Sequence, residues 1–316
     1  MPDISVIICT HNPRLDNLTQ TIESLKAQTL PREQWELLIV DNASQEPLAK
    51  IWDLSWHPHA RHVRENELGL TMARLRGMKE STGELLVFVD DDNVLAPDYL
   101  WAAAKLVLEF PQLGAFGAGK ISPVYERAPR AEFECYSQHL ALREQKTDLW
   151  TNLPVITEAL PYGAGLCVRR KVAAEYRRKK ASGGLLYGRV GQNLMSAEDI
   201  EIALLAPQLG FGYGVFVRLS VQHLIPAVRV EEKYLLRLVE GMELSNSLLQ
   251  MQNDLERGLA PVSYKRELRL LAGCLKTAIF APGVHRRFHF RRLVGRWRAF
   301  RMYRRILRAG NAVSKS

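Results

Sequence analysis

The sequence has no long apolar run and few cysteines, and these absences exclude several classes of protein. No stretch of about 20 apolar residues occurs, because Lys276 and Pro282 interrupt the nearest candidate, so a transmembrane helix is not predicted. The 4 cysteines are widely spaced without a CxxC or Cys/His pattern, which favours free thiols in a reducing compartment over a zinc site. No basic leader precedes the first apolar segment, so a secretory signal is not expected. Together these absences predict a cytoplasmic location.

Acidic residues are absent from the last part of the sequence, residues 285–316. This tail carries ten Arg and one Lys, which give it a charge of +11. The whole chain has a net charge of +9, so the net charge of the other residues is 9 − 11 = −2. The basic character therefore belongs to the tail and bears on partners rather than on fold. The overall composition, 47% apolar and 24% charged over 316 residues, is ordinary for a globular protein of one large domain or two.

The first 120 residues alternate between short apolar runs and helical spacing. Strands are predicted at 4–9, 35–40, 61–64 and 85–89, and helices at 15–28, 47–54, 71–80 and 97–110. Continuous apolar strands between helices are typical of a parallel sheet that is covered on both faces. Ligands of such sheets bind at the carboxyl ends of the strands.

The rest of the chain is less regular up to about residue 225 and helical beyond it. Strands are predicted at 114–121, 166–168 and 212–219, helices at 171–180 and 196–209, and a glycine-rich loop at 182–192, whereas residues 125–150 have no clear assignment. Three helices follow at 231–255, 263–280 and 285–308. In the last of these, Leu293, Trp297 and Phe300 share one face with Leu307.

Three polar clusters follow predicted strands, at 10–12, 41–42 and 90–92. The last cluster is the most informative, because three adjacent aspartates at the end of a core strand repel one another. A divalent cation relieves this repulsion, and Mg²⁺ is usually held by one or two carboxylates together with substrate phosphates. The pattern predicts a metal–diphosphate site at this edge of the sheet. The alternative is an acidic turn that caps the next helix.

These motifs, taken in order, resemble those of family 2 glycosyltransferases of the GT-A fold. The matching segments are 5–12 (SVIICTHN), 38–44 (LIVDNAS), 66–74 (NELGLTMAR), 83–93 (GELLVFVDDDN), 163–165 (GAG) and 198–199 (ED). The resemblance implies an α/β fold with a Rossmann-like mixed sheet flanked by helices. It implies a GT-A domain over 1–225, with a nucleotide-binding half at 1–120 and an acceptor-binding half at 121–225. A helical extension with a basic amphipathic tail, 226–316, would follow.

The resemblance also implies an inverting enzyme that moves a sugar from a nucleotide diphosphate sugar, most often UDP-linked, to a hydroxyl of a glycan or lipid-linked acceptor. Surface polysaccharide or glycoconjugate biosynthesis is the expected pathway, and Mg²⁺ or Mn²⁺ the expected cofactor. By matching position, the nucleotide-binding residues are Thr10, Asn12, Asp41, Arg74, Asp90 and Asp91. The metal ligands of the DXD-type site are Asp90 and Asp92, with His223 as the best match for a metal-ligating histidine. The catalytic pair is Glu198 and Asp199, with Asp199 as general base, and the acceptor or sugar loop is Tyr162, Gly163, Ala164 and Gly165.

Each of these residues also has a structural alternative. Asp41 could end a strand, Arg74 could be a solvated charge and His223 a buried histidine with its hydrogen bonds satisfied. Asp199 could cap its helix together with Ser196, and the 163–165 segment could be a tight turn. One departure from the family pattern is Leu75, which stands where the family has Asn after Arg74.

Other functions remain open at this stage. One is transfer to polyprenyl phosphate, whose acceptor oxygen is already ionised and needs no base, and another is non-catalytic binding of a nucleotide or glycan. Basic residues interleaved with aromatics at 285–316 suggest peripheral contact with the inner face of a membrane. A solvated helix or an oligomerisation element would have the same pattern. Nucleic-acid binding is not expected, because no nucleic-acid fold motif accompanies the charge.

Overall fold

The computed structural model describes residues 4–182, 198–256, 258 and 261–313. These residues form two compact units. The first unit contains the described residues up to 127, from 140 to 182 and from 198 to 226. The second contains 128–139 and the described residues from 227 onward. The glycine-rich loop predicted at 182–192 and the capping residue Ser196 fall almost entirely outside the described residues.

The described strands of the first unit form one mixed sheet in the order β3-β2-β1-β4-β9-β6-β10-β5. Their bounds are β1 (Ile4–Thr10), β2 (Trp35–Asn42), β3 (Ala60–Glu65), β4 (Leu85–Val89), β5 (Asn93–Leu95), β6 (Leu113–Tyr125), β7 (Arg143–Glu144), β8 (Leu149–Thr151), β9 (Leu166–Arg169) and β10 (Gly212–Ile225). Two short strands lie off this path, since β7 pairs with β6 and β8 with β10. β1, β2, β3 and β4 are parallel, whereas β9 runs antiparallel to both β4 and β6.

Helices accompany this sheet in the first unit: α1 (Leu15–Lys26), α2 (Leu70–Glu80), α3 (Tyr99–Glu109), α5 (Arg170–Ala181) and α6 (Glu198–Gln208). The α1 helix shows why they pack there, since Leu18, Ile22 and Leu25 recur on one face and are all buried. β1, β2 and β4 are buried along almost their whole length, as expected for strands covered on both faces.

Two helix predictions differ from the structure. The helix predicted at 47–54 is only a short 3-10 turn, Leu48–Lys50. The third helix begins at Tyr99 and not at Pro97, and it ends at Glu109. The segment 125–150, which had no assignment, contains β7 and the start of β8.

The second unit consists mainly of helices: α4 (Glu134–Ser137), α7 (Glu232–Glu256), α8 (Tyr264–Phe280) and α9 (His285–Val313). Aromatic residues of α9 form part of its interior, because Phe288, Phe300 and Tyr303 are at most 1% exposed. The Phe288 ring stacks on Tyr136 with a centroid distance of 3.5 Å. Among the described residues, no helix is both long and apolar enough to span a membrane.

Candidate active site

The carboxyl ends of β1, β2 and β4 meet at one edge of the sheet, because the three strands are parallel and in register. Thr10 at the end of β1 pairs with Asp41 at the end of β2. Across β1 the register pairs Ile8 with Val89, which places the aspartates after β4 beside the end of β1. The hydroxyl of Thr10 donates a hydrogen bond to the Asp91 carboxylate. The three predicted polar clusters therefore lie together at this edge.

Asn12 connects the loops that follow β1 and β2. It has a φ of 46°, a left-handed conformation that Asn tolerates better than most residues. Its backbone N–H donates to the Ser44 hydroxyl at 2.9 Å, and its side-chain oxygen accepts from the backbone N–H of Gln45 at 2.9 Å. The exposed Asn12 thus fixes the position of the strand ends relative to each other.

Asp41 is buried, and several groups of the protein donate hydrogen bonds to its carboxylate. The backbone N–H groups of Ser44 and Leu48 donate to it at 3.0 and 3.1 Å, and Arg64 forms an ion pair with it. Burial alone raises the pKa of a carboxyl group. Hydrogen bonds from Ser44, Leu48 and Arg64 outweigh burial here and lower the pKa of Asp41, so it is ionised at neutral pH. Asp41 therefore orders the loop after β2, whatever else it binds.

Arg74 is the charge that joins the separate motifs. Its guanidinium lies 3.1 Å from Glu198 and 3.7 Å from Asp90, and its side chain is only 6% exposed. Burial by itself lowers the pKa of this guanidinium. The neighbouring carboxylates, above all Glu198 and then Asp90 and Asp199, outweigh burial and raise it. Arg74 is therefore not the solvated charge of the structural alternative.

Glu198 and Asp199 have different surroundings although they are adjacent. Glu198 is 3% exposed, and its two oxygens accept from the Thr71 hydroxyl and from Arg74. Asp199 is half-buried, and its Oδ2 accepts from the backbone N–H of Gly163 at 3.0 Å. This places the 163–165 loop directly against Asp199. Of the two carboxylates, Asp199 is the one with access to a reactant.

Two side chains, Tyr99 and Arg143, contact the 162–165 loop. The Tyr99 hydroxyl donates to the carbonyl oxygen of Gly165 at 2.6 Å, and Gly165 has a φ of +73°, which favours glycine. The guanidinium of Arg143 lies 3.9 Å from the centroid of the half-buried Tyr162 ring. Ala164 is buried, so it serves packing and is not accessible to a sugar.

Asp92 and His223 face each other on the other side of the triplet. Asp92 Oδ2 lies 3.5 Å from His223 Nε2, and Asp92 Oδ1 accepts from the Asn93 side chain at 3.0 Å. His223 Nδ1 lies 2.9 Å from the carbonyl oxygen of Leu140. A carbonyl oxygen only accepts, so Nδ1 donates the proton of this hydrogen bond, and Nε2 is the nitrogen that lies toward Asp92.

This pair has the donor chemistry of a divalent cation site. A carboxylate and an imidazole whose other nitrogen is fixed by a carbonyl are common metal ligands. Within the described ranges, no group of three or more His, Cys, Asp or Glu side chains is placed to hold a metal ion. Two protein ligands fit a cation that completes its coordination with substrate phosphates and water. Asp90, the other predicted ligand, lies beside Arg74 instead.

Four residues of this site were not singled out from the sequence. Thr71 and Arg64 hold carboxylates, Asn93 orients Asp92, and Arg143 lies on Tyr162. Asn93 directly follows the three aspartates in the matching segment, which was a usable signal. The partners of the other three are distant in sequence, so no local pattern identifies them.

Comparisons with known proteins bear on the family and the fold of this chain. Residues 5–153 match the family model described as glycosyl transferase family 2. The glucosyl-dolichyl phosphate glucuronosyltransferase of Haloferax volcanii is 26% identical over 129 residues, covering 40% of this chain and 41% of the relative. Glycosyltransferase AglE of the same organism is 29% identical over 104 residues, covering 32% of this chain and 33% of the relative. The chain thus matches less than half the length of these relatives.

A solved structure is similar over nearly the whole chain. It is the mannosyltransferase PcManGT from Pyrobaculum calidifontis in complex with GDP-Man and Mn²⁺. The TM-score is 0.52 at 20% sequence identity, covering 98% of this chain and 75% of the other. A likeness at this identity concerns the fold, and it confirms the predicted GT-A class with a mixed sheet, flanking helices and a helical C-terminal region.

Proposed function

Because the chain carries a family 2 glycosyltransferase domain and is a transferase, we propose that it moves a sugar from a nucleotide diphosphate sugar to a hydroxyl of a glycan or lipid-linked acceptor. The observation that carries this proposal is the contact of Arg74 with both Asp90 and Glu198. It joins the aspartates at the strand ends to the Glu-Asp pair, so a donor site and a base share one unit. UDP is the expected nucleotide from the motifs, and GDP is tested beside it because the similar solved structure holds GDP-Man.

Asp199 is the proposed general base. A hydroxyl is a weak nucleophile, and a carboxylate that takes its proton as the new bond forms lowers the barrier. The Gly163 N–H holds Asp199 Oδ2 in a fixed direction, so the base is oriented by the loop proposed to line the acceptor or donor sugar. Displacement from the side opposite the diphosphate inverts the anomeric carbon. Glu198 is buried and accepts from Thr71 and Arg74, so it is proposed to position Arg74. Asp199 accepts only from the backbone N–H groups of Gly163 and Ile200 in the hydrogen bonds described and is the more exposed of the two carboxylates.

The donor diphosphate is proposed to lie at the ends of β1, β2 and β4. Thr10, Asn12, Asp41 and Asp91 would line the nucleotide pocket there. Asp92 and His223 would hold the divalent cation, while Asp90 lies beside Arg74. Mg²⁺ or Mn²⁺ held there would supply positive charge for the diphosphate leaving group. The Asp92–His223 pair supports this, as does the Mn²⁺ of the similar mannosyltransferase.

Two further parts of the proposal concern the acceptor of the sugar and the division of the chain into functional regions. The name of the Haloferax relative includes glucosyl-dolichyl phosphate, which favours a lipid-linked glycan and surface glycoconjugate biosynthesis here. We propose a nucleotide-binding half at 1–120, an acceptor-binding half at 121–225 and a helical extension at 226–316. Peripheral contact of the extension with the inner face of a membrane would suit such an acceptor.

The test is turnover of UDP- and GDP-sugars with Mn²⁺ or Mg²⁺, read as released nucleoside diphosphate with water or a glycan as acceptor. Asp199→Asn should lower kcat by roughly 10² to 10⁴ while leaving donor affinity unchanged. Asp98→Asn is the matched control, because Asp98 is an exposed carboxylate that makes no capping hydrogen bond. Full activity of Asp199→Asn with a polyprenyl phosphate acceptor would instead favour transfer to an ionised phosphate. Donor binding without turnover under any condition would favour a binding protein.

A further inference from the structure

The α8 helix of the second unit leaves an apolar stripe exposed. Leu268, Leu275 and Ile279 are spaced by seven and four residues, which places them on one helical face. They are 53%, 42% and 59% exposed, and Phe280 at the end of the helix is 76% exposed. Large apolar side chains that cluster in this way mark a contact surface more often than scattered ones do.

Packing against α9 fixes which face of α8 is exposed. The face next to the stripe carries Glu267, Leu271 and Ala278, all of which are buried. Glu267 forms an ion pair with Arg296 of α9 at 2.8 Å. Because a buried carboxylate depends on its cation, rotation of α8 to hide the apolar stripe would break this pair. The stripe therefore stays outward in the folded unit.

The surroundings of the stripe are basic. Lys265, Arg269 and Lys276 are exposed and lie along one side of it. The only acidic residue in the sequence of α8 is Glu267, which is buried, and α9 has none. An apolar strip flanked by cations, without exposed carboxylates on either helix, is complementary to an anionic, apolar partner.

A groove continues the stripe between α7, α8 and α9. Its volume is about 590 Å³, and Leu236, Leu275, Ile279 and Phe290 line it. Arg286 and Arg291 also line the groove, and Phe290 is 53% exposed. A hydrocarbon chain fits the apolar walls, and Arg286 suits a phosphate, whereas Arg291 is paired with Glu240 of α7 at 2.9 Å.

We propose that the stripe and groove form a docking surface for an anionic phospholipid bilayer. A basic amphipathic helix lies in the membrane interface with its apolar face inserted and its cations among the headgroups. A second copy of the chain fits less well, because a two-fold interface would bring the same cations against each other. Three of the aromatic residues that suggested membrane contact by the tail itself, Phe288, Phe300 and Tyr303, are buried in the unit. The surface is thus formed chiefly by α8.

The experiment is co-sedimentation of the full chain with vesicles of phosphatidylcholine alone or mixed with phosphatidylglycerol. Wild type should bind the mixed vesicles only, and raised salt should weaken the binding. Replacing Lys265, Arg269 and Lys276 by Gln should weaken it roughly 100-fold, at about one kcal/mol per cation. Ile279→Asp should weaken it at least about tenfold, because an inserted side chain becomes charged.

Matched controls lie in the first unit. Leu108→Asp changes another apolar side chain, 74% exposed, in the same way. Replacing the exposed Lys50, Lys120 and Lys146 by Gln removes the same charge elsewhere. Both controls should bind vesicles like wild type, and circular dichroism should show every variant folded.

Two results would overturn the inference. One is equal vesicle binding by the α8 variants and wild type. The other is a dimer of wild type in sedimentation velocity that Ile279→Asp converts to monomer, with no vesicle binding by either. The inference rests on the membrane contact proposed above for the extension and names its surface, and it is tested separately from sugar transfer because vesicle binding is measured without donor or acceptor. Failure of nucleotide turnover would leave this measurement unaffected.

Discussion

Replacing Arg74 by Met tests whether one buried cation holds the two halves of the site together. The Arg74 side chain is 6% exposed and that of Glu198 is 4% exposed. Met keeps much of the side-chain volume but leaves Glu198 as a buried carboxylate without its cation. Breaking a buried ion pair in this way typically costs about 3–5 kcal/mol. We therefore expect the free energy of unfolding to fall by about that amount.

The control variant lies on the same helix as Arg74, α2. Arg76, two residues further along α2, pairs with Glu80 at 3.1 Å but is 38% exposed, so Arg76→Met should cost less than about 1 kcal/mol. Urea unfolding of both variants, followed by circular dichroism, gives the two free energies. Adding Glu198→Gln to Arg74→Met should recover part of the loss, because the orphaned charge is then removed.

Two outcomes would refute this reasoning. Arg74→Met could cost no more than Arg76→Met, which would mean that solvent or another cation reaches Glu198. Alternatively, the effects of Arg74→Met and Glu198→Gln could be additive, which would mean that the two side chains do not interact. In either case Arg74 would not be the charge that joins the motifs.

Two further predictions concern stability. Gly165→Ala should lower the free energy of unfolding by at least about 2 kcal/mol more than Gly210→Ala does, measured by thermal or urea unfolding. Both glycines have positive φ, but only a Cβ at position 165 would overlap the Tyr99 hydroxyl. Equal losses would contradict the packing described for the loop. Burial lowers the pKa of His57 to about 4 from 6.5, so the unfolded state binds the proton more tightly, and stability should fall by about 2 kcal/mol as pH drops from 6.5 to 4. His57→Asn should flatten this part of the profile of Tm against pH, and an unchanged slope would assign the loss to other groups.

Much of the first unit could be predicted because its signals are local. The runs at 4–9, 35–40 and 85–89 are apolar throughout, and strands of that kind occur between helices in α/β sheets. Their order in the chain and the polar residues that follow them were enough to place three clusters at one edge. The predicted resemblance was confirmed over residues 5–153, which match the family model described as glycosyl transferase family 2.

The elements that were not predicted depend on contacts between residues that are distant in the sequence. The strands β7 and β8 are two and three residues long, too short for periodicity, and exist because β6 and β10 present edges to pair with. The helix predicted at 47–54 is only a 3-10 turn, whose Leu48 N–H is bonded to Asp41.

In the candidate site, too, the sequence predicted individual residues but not the contacts between distant ones. The matching segments identified Asp92, Asp199 and Arg74, but not how they are partnered. Glu198 pairs with Arg74, which is 124 positions away in the sequence. His223 is oriented by the backbone carbonyl of Leu140, which is 83 positions away in the sequence. A carbonyl carries no residue-type signal, so no reading of the sequence could have found the second contact.

The most direct test of the proposed function is binding of UDP and GDP by calorimetry, each with Mn²⁺ and with EDTA. We expect one nucleotide to bind in the presence of Mn²⁺, and this binding to be lost with EDTA and in Asp92→Ala but kept in Asp98→Ala. A bound nucleotide at about 100 times its Kd should also stabilise the folded state by about 2.7 kcal/mol. Binding that is equal with EDTA and in Asp92→Ala, or no binding of either nucleotide by the folded protein, would contradict a metal–diphosphate site at the ends of these strands.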